Sequence, residues 1–207
     1  MAGVSIKGTA ISTLVEDLNR LVDEGHISRD DLEARLEASD LALLEAKLEP
    51  ASWYDIDAYR RMMELLRALD GAGDSDYWFR RGARSAAHLI ELGLYQQMEY
   101  LKRLEVSNAM DPEERLRAWG RDLRLLVTLS GSIIDFGEWR AVLDPDQPNR
   151  YNIEVCEVNG VPEPFWRAAE GFLCEMMSRA RDEWPERLFV FEQIDADRVV
   201  YRATAAV

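Results

Sequence analysis

Apolar residues recur at intervals of three and four through most of the first 129 positions, the spacing of a helix with one buried face. Ile11, Leu14, Val15, Leu18, Leu21 and Val22 form the first stripe, and Gly25 closes it. Ser28 followed by Asp31 has the form of a capping box ahead of Leu32 and Leu36. Ser39 restarts a short helix through Leu41, Leu44 and Leu48, ended by Pro50. Ser52 with Asp55 offers the next cap, before a stripe of Ile56, Tyr59, Met63, Leu66 and Leu69. Gly71-Ala72-Gly73 interrupts the pattern. Asp74 or Ser75 then caps a long helix predicted over 77–104, bent at Gly93, with small residues at Gly82, Ala83, Ala86 and Ala87. Asp111-Pro112-Glu113-Glu114 combines a cap, a first-turn proline and first-turn acids. Leu116, Trp119, Leu123 and Leu126 complete that helix.

After Leu129 the period changes from helical to alternating. Segments 134–140 and 151–156 read as strands with one wet face, linked across Pro145 and Pro148. Pro162 and Pro164 open a helix over about 163–181 with Phe165, Ala169, Phe172, Leu173 and Met176 on one side. Strands at 187–194 and 198–205 follow, joined by Asp195-Ala196-Asp197. The order predicts a single α+β domain over 1–207, helical to 129 and strand-strand-helix-strand-strand from 130. Its helices would pack on a mainly antiparallel four-stranded sheet. Trp119 and Phe172, both on apolar stripes, are expected to be largely buried.

Charge narrows the function. The 207 residues carry 25 Lys and Arg against 39 Asp and Glu, a net charge of −14. Nucleic acid and anionic membrane both require a basic face, and the longest basic cluster is only Arg80-Arg81 with Arg84. Apolar runs all fall well short of the ~20 residues that span a bilayer, so membrane insertion is not expected. The amino terminus lacks a basic region followed by an apolar stretch. Two cysteines, Cys156 and Cys174, are too few for a disulfide framework. These features predict a cytoplasmic protein.

Catalytic patterns are missing from the sequence. His26 sits in a polar loop, and His88 falls mid-helix as a half-buried residue, the lone candidate for a haem ligand. A Gly-x-Ser-x-Gly elbow is absent, and neither cysteine has a histidine beside it. Cys174 reads as an inert core thiol. Asp144-x-Asp146 lacks the later glycine and glutamate of a calcium loop; the twelfth place is Val155. Gly71-Ala72-Gly73 lacks the strand and third glycine of a dinucleotide loop. No catalytic residue, metal ligand or cofactor is therefore assigned, and the chain is not expected to be an enzyme.

Several segments resemble one ligand-binding superfamily. Lys7-Gly8-Thr9-Ala10 is similar to the amino-terminal segment of the haem-based nitric-oxide/oxygen-binding (H-NOX) domains. The run from Trp78 through Arg80-Arg81-Gly82-Ala83 to His88-Leu89-Ile90 resembles the long helix of the Bet-type small subunits of the TRAPP tethering complex. Ala169-Glu170-Gly171-Phe172-Leu173-Cys174 resembles their last helix, and four-vinyl-reductase domains form a third branch. Pro50-Ala51-Ser52-Trp53-Tyr54 is similar to a bacterial family of unknown function. The resemblance implies an α+β fold with an apolar pocket and a non-enzymatic role as sensor or adaptor. The implied partners are a small apolar ligand, a protein or a second copy in a homodimer. The candidate ligand-binding residues are Trp78, Tyr95, Met98, Phe172 and Met176; the alternative is a haem-based gas sensor or redox protein using His88. Two family features are absent: none of the seven tyrosines begins a Tyr-x-Ser-x-Arg propionate motif, and Ser107-Asn108-Ala109-Met110 holds no cysteine where the TRAPP subunits are acylated.

Overall fold

A computed structural model describes residues 4–93, 111–158, 160–178 and 187–205. Its elements run β1 (Ser5–Lys7), α1 (Gly8–Asp23), α2 (Arg29–Glu33), α3 (Ala38–Glu45), β2 (Trp53–Asp55), α4 (Ile56–Leu69) and α5 (Tyr77–Glu91). Then follow α6 (Pro112–Ser130), β3 (Glu138–Leu143), β4 (Tyr151–Cys156), α7 (Glu163–Ser178), β5 (Phe189–Gln193) and β6 (Arg198–Ala203). The expected α+β architecture with a four-stranded antiparallel sheet is present, in the order β3-β4-β6-β5. The chain divides into two compact units, the first Met1–Trp78 with Ile133–Asp135 and Gly160–Phe165, the second the remainder.

In the first unit, α1 buries Ile11, Leu14, Val15, Leu18 and Leu21 and packs on α4 and α3. The α4 face is Ile56, Tyr59, Met62, Met63, Leu65 and Leu66. Gly25 takes a left-handed φ of +74° just past α1, a conformation glycine adopts without the Cβ penalty. The capping box at Ser28 and Asp31 forms as expected. Two other caps differ from the sequence expectation. Glu37, with Asp40 as its box partner, caps α3, so the helix starts at Ala38, one residue before Ser39. Asp55, accepting from the Asp57 N–H at 2.9 Å, starts α4 because Ser52 precedes a short strand. That strand, β2, pairs with β1 (Ser5↔Asp55), and Ile6 bridges Ile134. Neither three-residue strand is long enough to show alternation. Asp40, wholly buried, is held by Arg61 through Nε at 2.6 Å and Nη2 at 2.8 Å, which ties α3 to α4.

The second unit contains the sheet. β3 begins at Glu138, four residues later than its expected start. Ile134 and Asp135 are drawn to β1, where Asp135 accepts from the Ser5 N–H at 2.7 Å. Gly137, at φ +76°, then redirects the chain into the sheet. One sheet face carries Phe189, Phe191, Tyr201, Ile153, Val155 and Trp139 inward; the other presents ion pairs such as Arg198 with Glu154 and Arg202 with Glu192. α6 packs on β3 and β4 and buries Trp119 to 1% exposure, as its stripe predicted. Gly120 lies against the Tyr151 ring, where a Cβ would sit 2.6 Å from the hydroxyl oxygen.

α7 departs from the predicted face. Phe165, Leu173 and Met176 are buried as expected, but Ala169 and Phe172 are only half-buried, while Trp166, Ala168, Glu170, Cys174 and Met177 are buried instead. The helix is covered on two sides, by the sheet and by α5, so its buried arc is wider than one stripe and rotated from it. The α5 crossing is a backbone contact. A Cβ on Gly82 would lie 2.6 Å from the Ala168 carbonyl carbon, and one on Gly171 would lie 2.7 Å from that of Phe79. Gly82 and Ala86, two of the small residues of the predicted long helix, are buried within the chain itself.

Candidate functional site

The predicted ligand-binding residues are dispersed. Trp78 lies in the first unit, half-buried, with the Arg67 guanidinium 4.5 Å above its ring. Phe172 and Met176 lie in the second unit one turn apart on α7, the former half-buried and the latter 1% exposed. Tyr95 and Met98, with the predicted continuation of the long helix to 104, fall outside the described residues. His26 is exposed in its loop as expected. His88 is exposed rather than half-buried, because α5 meets α7 through Phe79, Gly82 and Ala83 and leaves His88 on the opposite side with Arg80 and Arg84.

The most unusual polar group is one the hydrophobic reading passed over. Glu170 is 1% exposed in the middle of α7. Charged carboxylates are rarely buried this completely without partners, since desolvation costs several kcal/mol per ion. Its partners are Arg187, with Nη1 3.5 Å from Oε1, and Arg167, with Nη1 3.6 Å from Oε2. Both arginines are themselves about two-fifths exposed, and each lies on an aromatic ring: Arg187 4.4 Å above Phe79, Arg167 4.8 Å above Phe191. Such cation–π seats hold a guanidinium while leaving its edge to water. The nearby Phe191 N–H also favours the charged form of the Glu170 carboxyl. Burial outweighs these attractions and pushes the Glu170 carboxyl above its ordinary value.

Beside it, the sheet supplies an aromatic floor. Trp139 stacks on Tyr201 at 6.0 Å, and Trp166 packs at 6.1 Å from both Trp139 and Phe136. Tyr201 is fully buried and donates to the Trp166 carbonyl at 3.2 Å, and its phenol is held well above the usual range by burial. Cys174, one turn beyond Glu170, exchanges hydrogen bonds with the Phe189 backbone at 3.4 and 3.6 Å. Burial pushes its thiol up to about 11. A thiol in that range is almost wholly protonated near neutral pH, and so is a poor nucleophile. Burial therefore drives the carboxyl, the phenol and the thiol alike toward their neutral forms.

A Glu-x-x-x-Cys spacing inside an apolar helix was the available sequence signal, since it places both polar groups on one helical face. Among the described residues, no group of three or more His, Cys, Asp or Glu is placed to hold a metal ion. No helix among them is long and apolar enough to cross a membrane.

No family model and no curated protein sequence matches the chain. Solved structures do. An oxygen-binding H-NOX domain related to soluble guanylate cyclases, in its oxygen complex, aligns with 98% of this chain and 97% of its own, at 14% identity and a TM-score of 0.50. A point mutant of the T. tengcongensis H-NOX covers 98% of this chain and 100% of its own at 13% identity and a TM-score of 0.51. A further Tt H-NOX variant gives 16% identity, coverage of 98% and 97%, and a TM-score of 0.51. The fold is thus H-NOX-like over nearly the whole chain. A haem needs an iron ligand sheltered from water and donors for its propionates. Exposed His88 does not meet the first need, and the missing Tyr-x-Ser-x-Arg motif leaves the second unmet in the form the family uses.

Proposed function

We propose that this chain is a non-enzymatic binding module, a sensor or adaptor that responds to a small apolar ligand. The observation that carries the reading is the whole-chain likeness to an oxygen-binding H-NOX domain. This is an analogy of fold, so the residues must supply the rest of the support. They do so by what they are protonated to be. A hydrolase or transferase of the nucleophilic type needs a group poised to lose a proton near neutral pH. The buried thiol and phenol of the second unit are displaced away from that condition. The TRAPP-like and bacterial resemblances point the same way, toward binding and assembly. A protein partner or a second copy belongs to this reading, through surfaces other than the Gly82 and Ala86 stripe.

Among the candidate lining residues, Phe172 is the described one with ring surface left uncovered on the α7 helix, next to buried Met176. Aromatic and methionine side chains give an apolar ligand adaptable contact. The test is native mass spectrometry of the purified protein, followed by titration with a fluorescent fatty-acid analogue. Saturable binding that weakens about tenfold in Phe172→Ala, measured well below the melting point of that variant, is expected. If neither a retained molecule nor saturable binding is found, the apolar-ligand reading falls. A Soret band that vanishes in His88→Ala would replace it with the haem reading.

A further inference from the structure

Among the described residues, the outer edge of β5 is met by side chains and not by another strand. Among those residues β5 stands at the end of the sheet order and pairs with β6 alone. In an antiparallel pair, residues alternate between those that exchange hydrogen bonds with the partner strand and those whose N–H and C=O both face away. The Thr204 N–H donates to the Leu188 carbonyl at 2.8 Å, and the Ile194 N–H to the Arg198 carbonyl at 3.0 Å. Leu188 and Ile194 thus belong to the bonded class, and Phe189, Phe191 and Gln193 turn their backbone polar groups outward.

α7 meets two of these three positions. At Phe189 a single atom serves both groups: Cys174 Sγ accepts from the N–H at 3.4 Å and donates to the C=O at 3.6 Å. At Phe191 the outward N–H is a neighbour that favours the charged Glu170 carboxyl, while Glu170 Oε1, buried, has no hydrogen-bond partner among the described residues. The spacing makes this possible. Four residues of helix rise about 6 Å and two residues of strand about 6.7 Å, so the pair Glu170 and Cys174 spans Phe191 and Phe189.

We propose that Glu170 is a proton-linked cap on the open edge of β5. As a neutral acid it accepts from the Phe191 N–H and donates its own proton to the Phe191 C=O. This completes at Phe191 the two-way bond that Cys174 already makes at Phe189. The proton comes from solvent, and no other bond changes. Among the described residues, the charged and titratable groups facing the carboxyl are Arg167 and Cys174 on α7, Arg187 immediately before β5, and Tyr201 on β6. When Glu170 is neutral the two arginines keep their seats over Phe191 and Phe79 and their access to water. When it is charged they attract it, but the Phe191 C=O loses the donor. Because burial raises the folded carboxyl above its unfolded value, the folded state binds more protons between the two. The stabilising contribution is full below the unfolded value and is lost as pH rises through the folded one. Loss of the cap exposes an edge able to pair with another chain, which makes it a pH-sensitive control on the sheet.

The experiment is residue-resolved amide exchange by NMR across pH on the full chain, with the Glu170 carboxyl titrated in the same samples. Glu170 is expected to titrate above the ordinary 4.5. Phe191 amide protection should fall by about tenfold or more as pH rises through that value, while Phe189 protection holds. Glu170→Gln offers a neutral group that both accepts and donates at the same points, and should keep Phe191 protected at every pH. Glu170→Ala should expose Phe191 and spare Phe189. A Glu170 titrating at or below 4.5, or Phe191 exchange with the same pH slope in Glu170→Gln as in the unaltered chain, overturns the proposal. The glutamine variant decides the matter even if the alanine variant does not fold.

Discussion

Replacing Gly82 by alanine tests the α5–α7 crossing directly. The new Cβ would lie 2.6 Å from the Ala168 carbonyl carbon and nearer still to its oxygen. Carbon atoms pack at about 3.5–4.0 Å, so the helices must part by about 1 Å. Overpacking of this kind costs about 1–3 kcal/mol, and the upper part of that range applies because backbone, unlike a flexible side chain, cannot swing aside. Against it stands the ~1 kcal/mol by which alanine exceeds glycine inside a helix. The net expectation is a loss of about 1–2 kcal/mol, a fall of roughly 2–8 °C in melting temperature for a chain of this size. Gly171→Ala makes the reciprocal clash with Phe79 and should cost a similar amount. The double variant is the sharper measurement. Once the helices have parted for one Cβ, the second enters at reduced cost, so the pair should destabilise by less than the sum. Urea denaturation of the four proteins gives all the needed differences. A midpoint raised by either alanine, or strict additivity of the two, would refute the close crossing.

Four further outcomes follow from the same reasoning. Trp119→Ala should destabilise by ~3–5 kcal/mol in chemical denaturation, whereas Phe172→Ala, at a half-buried position, should cost clearly less. Arg61→Ala should cost ~3–5 kcal/mol, because it strands the wholly buried Asp40; Arg61→Ala with Asp40→Asn together should recover part of the loss. Asp144 is held below its ordinary value chiefly by the Asn152 side chain, so its contribution is present above the unfolded value and lost as pH falls through the folded one; Asp144→Asn should flatten that acid limb in a pH series of melting curves. Glu157→Gly should raise the melting temperature slightly, since Glu157 occupies a left-handed φ of +60° that glycine adopts without strain.

Residues whose environment is set by their own local period could be placed from sequence. α1, α4 and α6 each bury one face against neighbours, so a stripe at three and four identified Leu14, Met63 and Trp119 without knowledge of what covers them. β4 and the β5–β6 hairpin were equally plain, because alternation and turn residues are local. The failures share a different cause. The start of β3 was misjudged because Ile134 pairs with a residue 128 positions earlier, and nothing nearby encodes that bridge. α7 was read as a one-sided helix when two partners cover it. This moved Phe172 outward and hid Trp166.

Glu170 shows why the chemistry was harder to read than the fold. By composition it is one of 39 acids, and in a solvated helix it would be unremarkable. What sets it apart is the outward-facing backbone of β5, which exists only once β5 has become an edge strand and α7 has been seated against it. That seating in turn depends on Gly82 and Gly171, since a bulkier crossing would displace α7 by more than a hydrogen bond tolerates. The glycines, the buried acid and the buried thiol therefore form one arrangement. The close crossing brings α7 to the sheet, where Cys174 satisfies the backbone groups of Phe189 and, in the arrangement we propose, Glu170 satisfies those of Phe191. An edge held by one thiol and one ionisable carboxyl has a strength that pH can change, whereas an edge held by a backbone ladder does not. This difference gives the Phe191 amide its value as a reporter in the chain.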